Sequence, residues 1–284
     1  MNKDTLFSIA VVVLLSSGLL WFVSQTTPED AQTPTPTVSS SPRPSGTPLP
    51  LITGQGSIIL TSPRNGDVVG SPILVTGQSR AFENQFMVQL QDGTGKIVYQ
   101  TGIMSDAKDA GEWGNYKVYI PIPAGMGQDF KVEAIEYSTK GDGSLGGYGS
   151  ADIKLKSTET DTINVAFVTS VNPDCNVTKM FSRTIIKTES VGVASLLELL
   201  KGPTSSEKAQ GAMGQLPEST KLNSLKISGT TAYADFNYNL DAGVSGSCRV
   251  QAIRAEIENT LKQFPTIKNV VISIDGRSEN ILQP

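Results

Sequence analysis

Carboxylates are the main candidates for chemistry in this chain, because it contains no histidine. Without histidine, the Ser-His-Asp and Cys-His nucleophile arrangements and the commonest metal ligand are excluded. One acidic group lies before Trp113 and consists of Asp106, Asp109 and Glu112. Calcium binding requires a denser alternation of oxygen ligands, and glycoside hydrolysis requires two carboxylates held across a cleft. We therefore interpret this acidic group as a solvated loop.

Two other carboxylates, Asp235 and Asp275, each follow a strand-like run, where catalytic carboxylates often occur. Turn chemistry is a sufficient cause for both. The glycine-rich stretch 141–149 has no helix start after it, so it cannot hold phosphate as a P-loop does, and we expect a mobile loop. No catalytic, cofactor-binding or metal-binding residue is predicted, and the chain is predicted not to be an enzyme.

Aromatic residues and one glycosylation-type motif are weaker candidates. A carbohydrate or peptide surface is one interpretation of the aromatic residues, but at period-two spacing such residues more often lie half-buried in strands. They are Trp113, Tyr116, Tyr119, Tyr137 and Tyr148. The motif Asn176-Val177-Thr178 fits a glycosylation acceptor beside a cysteine, and we interpret it as incidental.

The two cysteines, Cys175 and Cys248, are 73 positions apart. They are too few for a structural zinc site, and without histidine they cannot form a papain-like nucleophile. A disulfide and a pair of buried free thiols are the remaining alternatives. Loop-closure entropy gives a disulfide of this span about 4 kcal/mol. We predict the disulfide, provided that the compartment is oxidising.

Residues 6–23 form an uncharged apolar run at the short end of what a membrane-spanning helix needs. A cleaved signal peptide has a shorter apolar core and a small-x-small site, which Phe22-Val23-Ser24 does not supply, so an uncleaved anchor is favoured. Lys3 precedes the run and Glu29-Asp30 follows it, so the positive-inside rule places the N-terminus in the cytoplasm. The bulk of the chain is then extracytoplasmic, where a disulfide can form.

Composition and the spacing of apolar residues divide the chain into segments. Its 284 residues allow two ordinary domains, and a net charge of −4 does not suggest a nucleic-acid partner. After the anchor at 1–24, the Pro/Thr/Ser-rich residues 25–56 are predicted to be a disordered linker. Residues 57–157 show period-two alternation, residues 162–278 alternate strands with helices, and residues 279–284 form a tail.

The period-two segment predicts an antiparallel immunoglobulin-like β-sandwich. Turn signals such as Asn65-Gly66 and Asp92-Gly93 separate short strands, as is typical of that fold. The seven predicted strands cover residues 57–60, 73–76, 86–90, 96–99, 116–120, 130–137 and 151–155.

The C-terminal segment predicts an α+β domain. One helix ends at Gly202-Pro203, and a second carries apolar residues at steps of three and four until Pro265. The apolar positions of the second helix are Val250, Ile253, Ile257, Leu261 and Phe264. The predicted strands cover residues 163–169, 180–187, 222–227, 231–236 and 268–274.

Both segments resemble known bacterial domains. The first resembles the immunoglobulin-like domain of spore germination proteins in the segments 61–69, 75–84, 109–114 and 136–138. The second resembles the GerMN domain of germination and sporulation proteins in the segments 196–203, 216–222, 232–236, 260–265 and 274–276. The cysteine pair departs from the broad GerMN pattern, and it adds a covalent link rather than removing a motif.

The resemblance implies a non-enzymatic binding or scaffolding role in the bacterial envelope, related to sporulation and germination. The expected partner is an envelope protein or a cell-wall component, with membrane attachment through residues 6–23. Two alternatives stay open. One is a self-assembling structural component that forms homo-oligomers, and the other is a peptidoglycan-acting enzyme that uses Asp235 or Asp275.

Overall fold

The structure, a computed structural model, describes residues 54–170 and 174–283. The predicted anchor at residues 6–23 and nearly all of the predicted linker lie outside the described residues. Within the described part of the chain, no helix is long and apolar enough to cross a membrane. The described residues belong to one compact unit, in which two domains pack against each other.

The first domain is a sandwich of two β-sheets. The strands are β1 (Gln55–Gly56), β2 (Ile58–Ser62), β3 (Val68–Val69), β4 (Ile73–Ser79), β5 (Gln85–Asp92), β6 (Ile97–Met104), β7 (Gly114–Ile120), β8 (Asp129–Tyr137) and β9 (Leu145–Leu155). One sheet has the strand order β2-β4-β7 and the other β1-β9-β8-β5-β6, with β3 parallel to β9. β4 in the first sheet and β9 in the second alternate buried and more exposed residues, so each sheet turns an apolar face inward.

All seven strands predicted in this domain are present, with shifted ends. The prediction of a mobile loop over residues 141–149 is wrong for the second half of that stretch, because β9 begins at Leu145. Gly147 permits β9 to run close to the backbone of Ser57 and Ile58, since a Cβ at position 147 would overlap the Ser57 side chain. The strand β1 lies within the predicted linker and pairs with β9.

The second domain combines three helices with two three-stranded sheets. The elements are β10 (Thr160–Thr169), β11 (Thr178–Ile186), α1 (Val191–Leu200), α2 (Ser205–Ala209), β12 (Ala212–Met213), β13 (Leu222–Ser228), β14 (Thr231–Phe236), α3 (Ser247–Lys262) and β15 (Asn269–Ile274). The strand orders are β11-β10-β12 and β13-β14-β15; β15 runs parallel to β14, whereas the other pairs are antiparallel. Leu196, Ile253 and Ile257 are fully buried in the core between helices and sheets.

Three features of this domain differ from the sequence-based expectation. Helix α2 was not predicted, although Thr204 and Glu207 carry the spacing of a capping box and form both of its hydrogen bonds. The helix α3 ends at Lys262, a turn before Pro265, because proline disfavours helical backbone in the residue before it. Ile281 of the predicted tail is buried in the core.

The side chains of α3 complete the hydrogen bonding of β10. The short strand β12 pairs with β10 only at Val168 and the next residue, so the rest of that edge has no partner strand among the described residues. The Val168 N–H donates to Glu256 Oε1 at 3.2 Å, and the Ala166 N–H donates to Thr260 Oγ1 at 3.0 Å. One turn further, Gln263 Oε1 accepts from Asn164 N–H at 2.8 Å. The helix therefore satisfies backbone groups that an open strand edge would expose.

The two domains share a packed interface. Tyr119 on β7 packs against the core of the second domain, and Ile186 at the end of β11 is buried in the core of the first. The Lys221 ammonium donates to the carbonyl oxygen of Gly102 across the interface. These contacts hold the domains side by side and leave a cleft between them.

Candidate functional site

The cysteines form a covalent link rather than a reactive site. Cys175 and Cys248 are joined in a disulfide with their Cα atoms 5.1 Å apart, which ties the turn before β11 to the first turn of α3. The neighbouring Asn176 is exposed in that turn. The Thr178 hydroxyl oxygen accepts a hydrogen bond from Asn259 at 2.9 Å, which again links β11 to α3.

The buried Arg183 on β11 organises the end of α1 and the start of α2. Its guanidinium pairs with Glu207 through two bonds, Nε–Oε1 at 3.0 Å and Nη2–Oε2 at 2.6 Å. It also donates to the carbonyl oxygens of Glu198 and Gly202. Burial acts to raise the pKa of Glu207, but hydrogen bonds from Arg183 and Thr204 hold that pKa below its usual value. Because Arg183, Glu207 and the carbonyl oxygens are bonded to one another, this network stabilises the fold and leaves none of these groups for a ligand.

The two strand-end carboxylates come together around Asn223. The Asn223 Nδ2 group donates to Asp235 Oδ2 and to Asp275 Oδ1, at 3.1 Å in both cases. The other Asp235 oxygen accepts from the Ser273 hydroxyl at 2.6 Å and from the Gly276 N–H at 2.8 Å. Asp275 has a left-handed backbone with φ 47°, as expected of a turn residue. The Asp235 carboxylate thus fixes the ends of β14 and β15.

The acidic group between β6 and β7 is exposed in the structure. Asp106 accepts a hydrogen bond from the Asn115 backbone N–H at 2.5 Å, whereas Asp109 and Glu112 are joined through their backbones at 3.2 Å. Over residues 54–170 and 174–283, no cluster of three or more acidic or cysteine side chains is arranged to hold a metal ion. The arrangement matches that of a hydrogen-bonded loop.

The aromatic residues of the first domain have different surroundings. Tyr116 is buried, and Tyr119 contacts the second domain. The Tyr148 hydroxyl donates to Glu133 at 2.5 Å on the outer face of the larger sheet. Trp113 is partly exposed and packs against the Arg80 guanidinium, 5.0 Å from its ring centroid. These residues contribute to packing at separate places.

A cleft of about 860 Å³ lies between the two domains. That volume is in the range of small-molecule sites in proteins. The first domain contributes residues 101–106 and 115–117, from the ends of β6 and β7. The second domain contributes residues 237–239, Asp275 and side chains from the segment 218–223. The bond from Lys221 to the first domain links the two walls.

Carboxamide side chains line the second wall in fixed orientations. The Asn237 oxygen accepts from the Lys221 N–H at 2.8 Å, and its nitrogen donates to the Ser219 carbonyl oxygen at 3.2 Å. The Asn239 nitrogen donates to the same carbonyl oxygen at 3.0 Å. Asn223 is held by its two carboxylate partners. The side-chain oxygens of Asn223 and Asn239 have no hydrogen-bond partner among the described residues and remain able to accept.

The first wall also presents polar groups. The Asn115 side-chain oxygen accepts from Gln78 at 3.2 Å, and Lys117 is exposed on the same strand. The Ser105 hydroxyl lines the cleft and is buried, without a hydrogen-bond partner in the described chain. Burial lowers the pKa of Lys221 below its usual value. Unlike a buried apolar pocket, the cleft offers both donors and acceptors.

Sequence reasoning did not identify this cleft. Asn223, Tyr238 and Asn239 belong to no motif that marks a ligand site, and their first-domain counterparts lie more than a hundred positions earlier. Only the packing of the two domains brings these side chains together. The candidate carboxylate Asp275 does line the cleft, and Asp106 lies on the opposite wall.

Comparisons with known proteins agree with this two-domain division. Residues 57–144 match the family described as the immunoglobulin-like domain of bacterial spore germination. Residues 150–280 match the family described as sporulation and spore germination. A search of curated proteins found no match.

Solved structures of GerMN domains are also similar to part of the chain. The tandem GerMN domains of the sporulation protein GerM from Bacillus subtilis share 25% sequence identity with it, over 44% of this chain and 43% of that one, with a TM-score of 0.36. The chain thus covers less than half of that protein's length. The first GerMN domain of the same protein gives 25% identity over 42% and 85% of the two chains, with a TM-score of 0.32. By the family matches, the first domain is similar to the immunoglobulin-like domain of bacterial spore germination and the second to the sporulation and spore germination family.

Proposed function

We propose that this chain is a non-enzymatic binding protein of the bacterial cell envelope, anchored in the membrane by residues 6–23 and carrying its two domains outside the cytoplasm. The family matches support a role in sporulation or germination. The observation that carries the binding role is the polar cleft between the domains, whose carboxamides are held in place by hydrogen bonds. Its partner is a cell-wall component or another envelope protein.

The geometry favours binding over catalysis. Asp235 is occupied by hydrogen bonds from Ser273, Gly276 and Asn223, so its oxygens already fix the protein's own strand ends. A glycoside hydrolase needs two carboxylates free to act on a sugar across a cleft, whereas the carboxylates on opposite walls of this cleft, Asp275 and Asp106, accept hydrogen bonds from Asn223 and from the Asn115 N–H. A wall hydrolase that used Asp235 or Asp275 would lose activity on the change Asp235→Asn or Asp275→Asn. Release of soluble wall fragments by the wild type and not by one of these variants would favour the enzyme alternative.

The binding proposal is tested by site-specific crosslinking in the native membrane. A photo-reactive amino acid placed at Lys117, inside the cleft, is expected to capture an envelope component. The matched control is the same amino acid at Lys226, an exposed position of β13 away from the cleft. Capture from position 117 and not from position 226 supports the proposal, whereas equal capture or none from both positions contradicts it.

The proposed topology has a separate test. In intact protoplasts, an added protease is expected to degrade both domains and to leave a short membrane-embedded N-terminal fragment. Protection of the domains until the membrane is dissolved would place them in the cytoplasm and would refute the proposed orientation.

A further inference from the structure

We infer that the interdomain cleft binds an uncharged, polyhydroxylated chain, namely a glycan strand of the cell wall. The inference rests on the proposed function and specifies the ligand class of the same site. Four properties of the cleft carry it: the kind of hydrogen-bonding groups, their fixed orientation, the balance of charge and an exposed aromatic ring.

The first property is the presence of side chains that both donate and accept. A carboxamide offers two donors and an acceptor, which matches neighbouring sugar hydroxyls that each act as donor and acceptor. Asn223 and Asn239 use their nitrogens within the protein and keep their oxygens free to accept. On the opposite wall, the exposed Lys117 side chain adds a donor to these acceptors.

The second property is preorganisation. Asn223 is held by two carboxylates, and Asn239 is held by the Ser219 carbonyl oxygen, so these groups lose little freedom when a ligand binds. On the first wall, the backbone N–H of Asn115 is bonded to Asp106 at 2.5 Å, and its side chain is bonded to Gln78. Groups fixed in this way on both walls favour a ligand with regularly placed hydroxyls.

The third property is the charge of the cleft, which argues against phosphate-rich polymers and divalent cations. The cleft contains two ammonium groups and three carboxylates, from Lys117, Lys221, Asp106, Glu218 and Asp275. A phosphate-rich polymer would meet more negative than positive groups, and phosphate sites generally supply positive charge or several backbone N–H groups. A divalent cation would need several oxygens converging on one point, and no such cluster occurs in the described chain.

The fourth property is the ring of Tyr238. A 3-10 turn covers residues 238–240, in which Leu240 is completely buried and Tyr238 is 58% exposed at the cleft. An exposed tyrosine offers a flat apolar face with a polar tip, on which the C–H face of a sugar ring can pack. Tyr238 lies between Asn237 and Asn239 in the sequence, so stacking of a sugar ring on the tyrosine and hydrogen bonding of sugar hydroxyls to the carboxamides occur at the same place.

The test measures binding of an uncharged glycan to the chain in detergent. The probe is an N-acetylglucosamine oligosaccharide, which has the β-1,4-linked, N-acetylated backbone of a wall glycan and lacks the carboxylate that removal of stem peptides would expose on muramic acid. We expect Tyr238→Ala to weaken binding about tenfold, since the ring face is lost, and Tyr238→Phe to retain most of it. Tyr233→Ala is the matched control, because Tyr233 is a 44% exposed tyrosine of the same domain outside the cleft.

Asn239→Ala tests the hydrogen-bonding part of the inference. It is expected to weaken glycan binding severalfold, whereas Asn269→Ala, at an exposed position of β15, is expected to leave binding unchanged. If the uncharged oligosaccharide does not bind, or binds equally to Tyr238→Ala and wild type, the glycan inference is overturned. The proposed function survives that result if position 117 still captures an envelope protein, and it fails as well if nothing is captured.

Discussion

The stability of the second domain is expected to fall as pH rises, because of Glu256. This residue of α3 has no exposed surface, and burial raises the pKa of its carboxyl to about 8, although N–H groups of Gln215 and Val168 act to lower it. The folded state therefore holds a proton that the unfolded chain releases near pH 4.5. The contribution of Glu256 to stability is therefore fully present below pH 4.5 and is lost progressively as the pH rises through about 8.

The magnitude follows from this difference in pKa. Each unit corresponds to about 1.4 kcal/mol, so the free energy of unfolding is expected to drop by roughly 5 kcal/mol across the window. Glu256→Gln removes the ionisable group and with it this pH dependence. Its carboxamide has one oxygen for two backbone N–H donors, so one buried N–H loses its partner at a cost of about 1–3 kcal/mol. The variant should therefore be less stable than wild type at pH 5 and more stable at pH 9.

The assay is urea unfolding of the oxidised chain at several pH values and constant ionic strength, followed by circular dichroism at the helical band. Within the described residues, all the α-helices lie in the second domain, so this signal reports mainly on it. Glu258→Gln is the control, because Glu258 is half-exposed and pairs with Lys262 at 2.6 Å, an arrangement worth only a few tenths of a kcal/mol. Parallel pH profiles for wild type and Glu256→Gln would refute the reasoning.

Three further predictions concern the structural links. Arg183→Met should lower the free energy of unfolding by about 3–5 kcal/mol, because it leaves Glu207 buried without its partner. A second change, Glu207→Met, should recover much of the loss. No recovery would show that Arg183 acts mainly through its contacts with backbone carbonyl oxygens. Changing Cys175 and Cys248 together to serine should lower the free energy of unfolding by about 2–5 kcal/mol, and reduction of the wild type should have the same effect. An unchanged urea midpoint would contradict a structural disulfide. Tyr119→Ala should uncouple the domains, so that calorimetry shows two thermal transitions in place of one coupled transition; a single unchanged transition would contradict coupling through this side chain.

The fold was largely predictable because its signals are local. The apolar positions of α3 recur at helical spacing, and Val250, Ile253, Ile257 and Leu261 are all buried in the structure. The strands of the first domain were predictable because one face of each sheet is buried, which imposes alternation. The helix α2 was missed even though its capping box is local, since five residues carry too short a pattern to be distinguished from a loop.

The roles of particular polar residues were not predictable, because they depend on contacts between distant segments. Glu256 and Thr260 look like ordinary positions of an amphipathic helix, yet they serve the backbone of β10, about ninety positions earlier in the chain. Asp275 follows its strand as predicted, whereas Asp235 lies within β14 rather than in a turn, and their shared partner Asn223 was not identified. Hydrogen bonds of this kind leave no periodic trace in a sequence.

The sequence by itself determined the two domain types, the positions of most helices and strands, and the absence of histidine chemistry, because composition, periodicity and turn residues act over a few positions. Only the tertiary structure decided how β7 and β11 pack across the domain interface and which polar groups face each other there. Packing of Tyr119 and Ile186 into the neighbouring domain's core creates a cleft that neither domain has alone. Its ligand chemistry is therefore a property of the interface between the domains, formed by side chains that are distant in the chain.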